Sequence, residues 1–286
     1  MDESTLITVY CIVDEFINMV TRLPVGKEIR KRRAGKRGPK ARLAPAEVIT
    51  LNILRFHLKV HDLKNLHLLA QNMYKSYFPS LPDYGNFLKA ANKSFPAILV
   101  FTQYLLFRGR QNNKRQTFFM DSTPLSVCDN HYINTRKAAE DYASRGKTTK
   151  GWFYGFKLHG ACDKYGTLVN PVFPAGSVHD SRMASDTADP LAGLFVCGAG
   201  YILKEEVFKS LYEKHRHILN ATRKNMKRVM TTEQGRLFRM RNRFETAWGV
   251  LKERFEPVYH LGRSMDGLFR HHFYSIASYL IFPHLK

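Results

Sequence analysis

Three separated positions in this 286-residue chain carry, or ought to carry, the residues of a carboxylate metal site. Asp121 closes the apolar run Phe118-Phe119-Met120. Glu245 sits far downstream in the string Phe238-x2-Arg241-x3-Glu245-x6-Lys252, on a basic helical stretch. A carboxylate at the end of a hydrophobic strand lies at the rim of an α/β sheet, where ligands bind. Arg241 and Glu245 are one helical turn apart on one face, and Arg241, Arg243, Lys252 and Arg254 are suited to phosphate oxygens. Together these features point to metal-assisted chemistry on phosphates. Such a site needs a third carboxylate, and the segment Leu194–Tyr201 has Gly198 where aspartate is expected. On the residues alone two plainer readings stay open: Asp121 as the cap of a turn, and the helix as one with ordinary i,i+4 ion pairs.

The elements that must position these residues fall into two patterns. Residues 1–112 read as helical. Apolar positions recur at helical intervals from Leu6 to Val20, Pro45 opens a second helix, and further helical patterns follow at 62–77 and 83–109. Between the first two helices lies Gly26–Arg42, rich in Lys and Arg and broken by Gly35, Gly38 and Pro39. That composition predicts an extended basic arm, either laid along a phosphate backbone through Arg32, Arg33, Lys36 and Arg37 or simply solvated. Tyr84-Gly85-Asn86-Phe87, at a helix start, is a further place where DNA could be met.

From 113 to 286 the pattern becomes α/β. Strands are predicted at Phe118–Ser122, Trp152–Ala161, Gly166–Phe173, Leu194–Cys197 and Ile218–Thr222, the second and third paired across the turn Asp163–Gly166. Helical patterns at 181–192 and 203–215 intervene, which argues for a sheet with crossovers. The chain is helical beyond Arg223, with Phe269–Leu280 apolar on one face.

A formal net charge of +21 implies a polyanionic partner, nucleic acid before a membrane surface. Hydrophobic content of 44% excludes wholesale disorder. Cys11, Cys128, Cys162 and Cys197 are widely scattered, which excludes a zinc knuckle and fits a reducing cytosol. The N-terminus lacks a signal-peptide pattern and Phe273–Phe282 is too short to span a bilayer, so a soluble intracellular protein is expected. Lys150, Lys157, Arg223, Lys224 and Lys227 join Arg241 and Lys252 as candidate DNA contacts. Trp152 and Trp248 could stack on a flipped base, but both lie in patterns that read as core, and core is the expectation.

Several longer strings resemble the DDE transposases of bacterial insertion sequences, in particular the insertion-sequence-982 branch. These are Met120-Asp121-Ser122-Thr123-Pro124-Leu125, the run Lys147 to His159, the block Arg223-Lys224-Asn225-Met226-Lys227, and the Glu245 helix, with Phe238 where that family has tyrosine. The resemblance implies a ribonuclease-H-like mixed sheet flanked by helices, preceded by an N-terminal all-helical DNA-binding region. It implies two Mg2+ or Mn2+ ions held by Asp, Asp and Glu, cleavage of DNA at terminal inverted repeats, strand transfer into target DNA, and a homodimer on paired ends. It makes Asp121 and Glu245 metal ligands. Gly198 takes the place of the second catalytic aspartate, so a copy that binds DNA without cutting is the alternative. Asp180 and His159 are possible auxiliary residues, Asp180 being the best nearby candidate for a substitute carboxylate.

Overall fold

The computed structural model describes residues 3–24, 26–28, 41–111, 116–135, 139–149, 151–221, 230–255 and 264–285. Arg32, Arg33, Lys36, Arg37, Lys150, Arg223, Lys224 and Lys227, all expected at DNA, lie outside them. Contacts divide the chain into two compact units: Met1–Tyr104 with Arg254–Lys286, and Leu105–Glu253.

The first unit is helical. Helix α1 (Glu3–Arg22) buries Leu6, Val9, Val13 and Phe16, one stripe at alternating steps of three and four. Helix α2 (Pro45–His57) starts with proline, whose missing N–H would have no helical partner there, and Glu47 accepts a 2.6 Å hydrogen bond from the Ala44 amide. It is buried on nearly every side, as expected of a central helix. Helices α3 (Leu63–Met73) and α4 (Tyr84–Lys93) are capped by Asp62 and Asp83, which accept from the amides of Asn65 and Asn86. The predicted helix at 83–109 is therefore two, α4 and then α5 (Phe95–Gln111), divided at Ser94.

Helix α9 (Met265–Ile281) also belongs to this unit. Ser278 Oγ donates to Ile53 O at 3.3 Å, Arg55 Nη2 lies 3.0 Å from His271 Nδ1, and Ser94 Oγ lies 2.7 Å from the Tyr274 hydroxyl. The sequence reading groups this helix with the sheet. Its apolar face announces burial, but nothing in the residue pattern says against what.

The second unit is built on a six-stranded mixed sheet with β2 (Ser144–Thr148), β3 (Gly151–Cys162), β1 (Gln116–Cys128), β5 (Gly193–Cys197) and β6 (Arg216–Asn220) in that order, and β4 (Leu168–Val172) also paired with β3. Strands β1, β5 and β6 are parallel, while β3 runs antiparallel to β1, β2 and β4. The expected turn is present: Asp163 accepts from the amides of Tyr165 and Thr167, and Gly166 takes φ 85°. Strand β2 is not anticipated, because Ser-Arg-Gly-Lys-Thr lacks the apolar alternation that announces a strand. The apolar stretch ending at Asp121 continues as strand to Cys128.

One face of the sheet is packed by Phe118, Met120, Ala161, Phe195 and Cys197 against Ala184, Ala188, Tyr201 and Leu211. Those last residues lie in or beside α6 (Ala184–Ala188), the short turn Ala199–Tyr201 and α7 (Glu205–Glu213). The opposite face meets α8 (Thr232–Phe255), whose Trp248 ring lies over Gly160: a Cβ on that glycine would stand 3.1 Å from it.

Candidate active site

Asp121 owes its position to strand register. Met120 pairs with Cys197 on the parallel strand β5, so the next residues, Asp121 and Gly198, stand side by side where β5 ends and β1 continues. Its partner on β3 is Gly160, beneath Trp248. Side chains alternate along a strand, so Asp121 faces α8 while Met120 faces the core.

Arg241 fills the space between them. Its Nη2 donates to Asp121 Oδ2 at 2.9 Å and lies 3.2 Å from where a Cβ on residue 198 would stand. A side chain at 198 would therefore enter the Asp121 site directly. The backbone there, φ −69° and ψ 170°, is open to any residue. Glu245 is one turn further along α8 and is exposed. Burial raises the Asp121 carboxyl above its ordinary range, and the Arg241 charge only partly offsets this. Both partners remain about a quarter exposed (25% and 23%), so their ion pair is worth roughly 1 kcal/mol or less.

A second network occupies the other side of β1. Ser122 and His159 are cross-strand neighbours facing the packed core. Asp180 Oδ2 accepts from Ser122 Oγ at 3.2 Å, and its Oδ1 from Lys157 Nζ at 3.0 Å. Lys157 also donates to Val178 O at 2.9 Å and is only 14% exposed. Lys157, expected at DNA, has its ammonium engaged inside the protein.

Buried His159 places Nδ1 2.8 Å from the Tyr201 hydroxyl and Nε2 3.8 Å from Asp180. Burial pushes its pKa down to about 4, against the pull of Asp180, so the ring is neutral near pH 7. Gly200 admits the Asp180 carboxylate: a Cβ there would lie 2.9 Å from Oδ2.

Asp121, residue 198 and the Glu245 helix are thus brought together at the middle of β1, where β5 ends. Asp180 is near in space but is bound to Lys157 on the opposite side of the strand. Neither the Arg241–Asp121 pair nor the Asp180–Lys157–Ser122 network is visible in the sequence, since their members lie on elements remote in the chain. Trp248 is buried at 6% exposure, as expected, but Trp152 is 61% exposed and is not core. Strand β2, on which its neighbours lie, was the element missing from the sequence reading. Lys252 is half-buried on α8.

The residues present do not form a holder for two divalent ions. Gly198 supplies no ligand, Asp121 is on Arg241, and Asp180 is on Lys157. Among the described residues no group of three His, Cys, Asp or Glu side chains is placed to hold an ion.

Among curated proteins and solved structures the chain has no match. One protein family matches it, the transposase DDE domain, over residues 111–262. That span covers the whole sheet and the helix that carries Arg241 and Glu245, and it is more than half of the chain. The DDE transposases act on DNA and characteristically use divalent metal. This chain belongs to the transposase DDE domain family, whose work is DNA transposition.

Proposed function

We propose that this protein is the transposase of a bacterial insertion sequence, of the insertion-sequence-982 type. It recognises the terminal inverted repeats of its element as a homodimer, cleaves the ends, and transfers them to target DNA in the bacterial cytoplasm. The single observation carrying this reading is the convergence of Asp121, residue 198 and the Arg241–Glu245 helix where β5 ends beside β1. The strand order β4-β3-β1-β5-β6, with β1, β5 and β6 parallel, supports a ribonuclease-H-like sheet. A net charge of +21 supports a DNA partner, with the helical unit as its reader. The free thiols of Cys11, Cys128, Cys162 and Cys197 suit a reducing compartment.

A second reading, a copy that binds element ends without cutting them, is favoured by a specific feature. At Gly198 a ligand and a negative charge are lost, and the Arg241 guanidinium lies where that side chain would enter. Metal-dependent cleavage relies on ligands held within fractions of an ångström, so loss of one cripples the reaction. A strand-transfer assay with Mg2+ or Mn2+ decides between them. It is run on inverted-repeat DNA with the chain as it stands and with Gly198→Asp. Joining by both proteins supports an active transposase; joining by the variant alone supports the non-cutting copy. Failure of both to bind or join such DNA overturns the transposase reading.

A further inference from the structure

The hairpin of β2 and β3 carries a feature that the site at Asp121 leaves unused. Trp152 is one of only two tryptophans in the chain and is 61% exposed. It leaves a large aromatic surface in reach of a partner. Its cross-strand neighbour is Lys147, whose Nζ stands 5.5 Å from the ring centroid, a cation set against the indole. Asn130 Nδ2 donates to Trp152 O at 2.8 Å and fixes the strand at that point.

Arg145 is exposed on the same side of β2, two residues from Lys147. From Ser144 to Cys162 the sequence holds Arg145, Lys147, Lys150 and Lys157 and not one Asp or Glu. The acids Glu140 and Asp141, felt by Tyr154, precede that stretch.

Register links this hairpin to Asp121. Gly160 is the partner of Asp121, and alternation along β3 puts Trp152 on the same side of the sheet. Eight residues of strand separate the two, about 26 Å at 3.3 Å per residue. That length corresponds to roughly eight nucleotides of a DNA strand at about 3.4 Å each.

We propose that Trp152 is a stacking platform for an unpaired nucleobase, with Lys147 and Arg145 holding the neighbouring phosphates. The proposal rests on the DNA-transposition reading and adds a second contact point to it, roughly eight nucleotides from the Asp121 site. An aromatic face stacks on any base, and adjacent cations track the backbone, which is the chemistry of single-strand recognition. An intact duplex keeps its bases covered and offers that indole no face.

The two tryptophans make the test direct, because Trp248 is buried and Trp152 supplies the accessible emission. The full-length chain is titrated with labelled DNA: a thymidine single strand of about 20 nucleotides, a duplex of similar length, and that duplex with a gap of about three nucleotides. DNA anisotropy reports binding, and tryptophan emission reports Trp152. Single-stranded and gapped DNA are expected to quench the emission component that Trp152→Phe removes, while intact duplex leaves it unchanged. Trp152→Leu should weaken gapped-DNA binding roughly 5- to 100-fold, with Trp152→Phe retaining most of the affinity. Lys147→Gln should lower the salt slope by about one. Matched circular dichroism of the variants guards against a folding defect.

Binding by anisotropy with unchanged Trp152 emission overturns the platform and leaves the DNA reading intact. Equal quenching by intact duplex also overturns it, in favour of a groove contact. No binding of any of the three DNAs removes the DNA reading and the platform together.

Discussion

The two sides of β1 near its midpoint hold similar materials in different states of completion. On the core side Asp180 has Lys157, Ser122 and the nearby His159 around it, and His159 in turn meets the Tyr201 hydroxyl. On the α8 side Asp121 accepts from Arg241 and from the Ser122 amide, beside a glycine in the position of a third carboxylate. The two carboxylates are equally open to solvent, Asp180 at 24% and Asp121 at 25%, but the cation on Asp180 is the more enclosed, Lys157 at 14% against Arg241 at 23%. What sets the α8 side apart is the open position at Gly198, faced by the end of the Arg241 side chain. The first arrangement builds structure, and the second is where a substitution would change chemistry.

The largest effect should come from closing the open position. Gly198→Asp puts a carboxylate beside Asp121 in a backbone conformation that accepts it, with only the movable end of Arg241 to shift. Calorimetry with Mg2+ or Mn2+ should show affinity rising by roughly 100-fold or more, about 3 kcal/mol. Gly198→Ala should leave it unchanged. Equal gains in both variants would mean that space, not charge, is what the glycine provides.

The core side should respond to acid through His159. Its folded pKa is depressed to about 4, so above the ordinary value near 6.5 neither state carries the proton. As pH falls from 6.5 toward 4 the unfolded chain takes up a proton that the folded one refuses, and stability declines. The loss is on the order of 2 to 3 kcal/mol. Denaturant unfolding across that window should show the slope, and His159→Gln should flatten it.

Removing one acid from each side gives a smaller and more discriminating contrast. Asp180→Asn strips the partner from an enclosed ammonium, and unfolding experiments should report a loss of about 1 to 3 kcal/mol. Asp121→Asn leaves a more exposed guanidinium and relieves the burial that raises the Asp121 carboxyl. Its stability should change by about 1 kcal/mol or less. A reversal of that order would show that the α8 side is the structural one. The least effect on stability belongs to Glu245→Gln, within about 0.5 kcal/mol for an exposed helical residue. In the Gly198→Asp background the same change should reduce divalent-ion affinity.

Local chemistry explains which parts were legible beforehand. Strand β3 was visible because apolar alternation over Trp152–Ala161 repeats the pleat, and the turn at Asp163–Gly166 because Asp and Gly satisfy a tight turn. Strand β2 was hidden, since its residues make a strand only through pairing with β3. The break at Ser94 was hidden inside a continuous helical pattern. The exposure of Trp152 could not be read from its string, because an aromatic in a strand looks alike whether its face is covered or bare.

By itself the sequence determined the residue types at the candidate site: an acid after a strand, an acid on a basic helix, and a glycine in place of the third. It also determined the family, because those types occur in long matching strings. Only the tertiary structure decided which residues meet. Parallel pairing of β1 with β5 set Gly198 beside Asp121, and the packing of α8 brought Arg241 onto both. The alternation of β1 and β3 turned Ser122 and Lys157 to the other side, where they hold Asp180. Residue type is a local property, but charge pairing and ligand geometry depend on register and packing between segments more than a hundred residues apart.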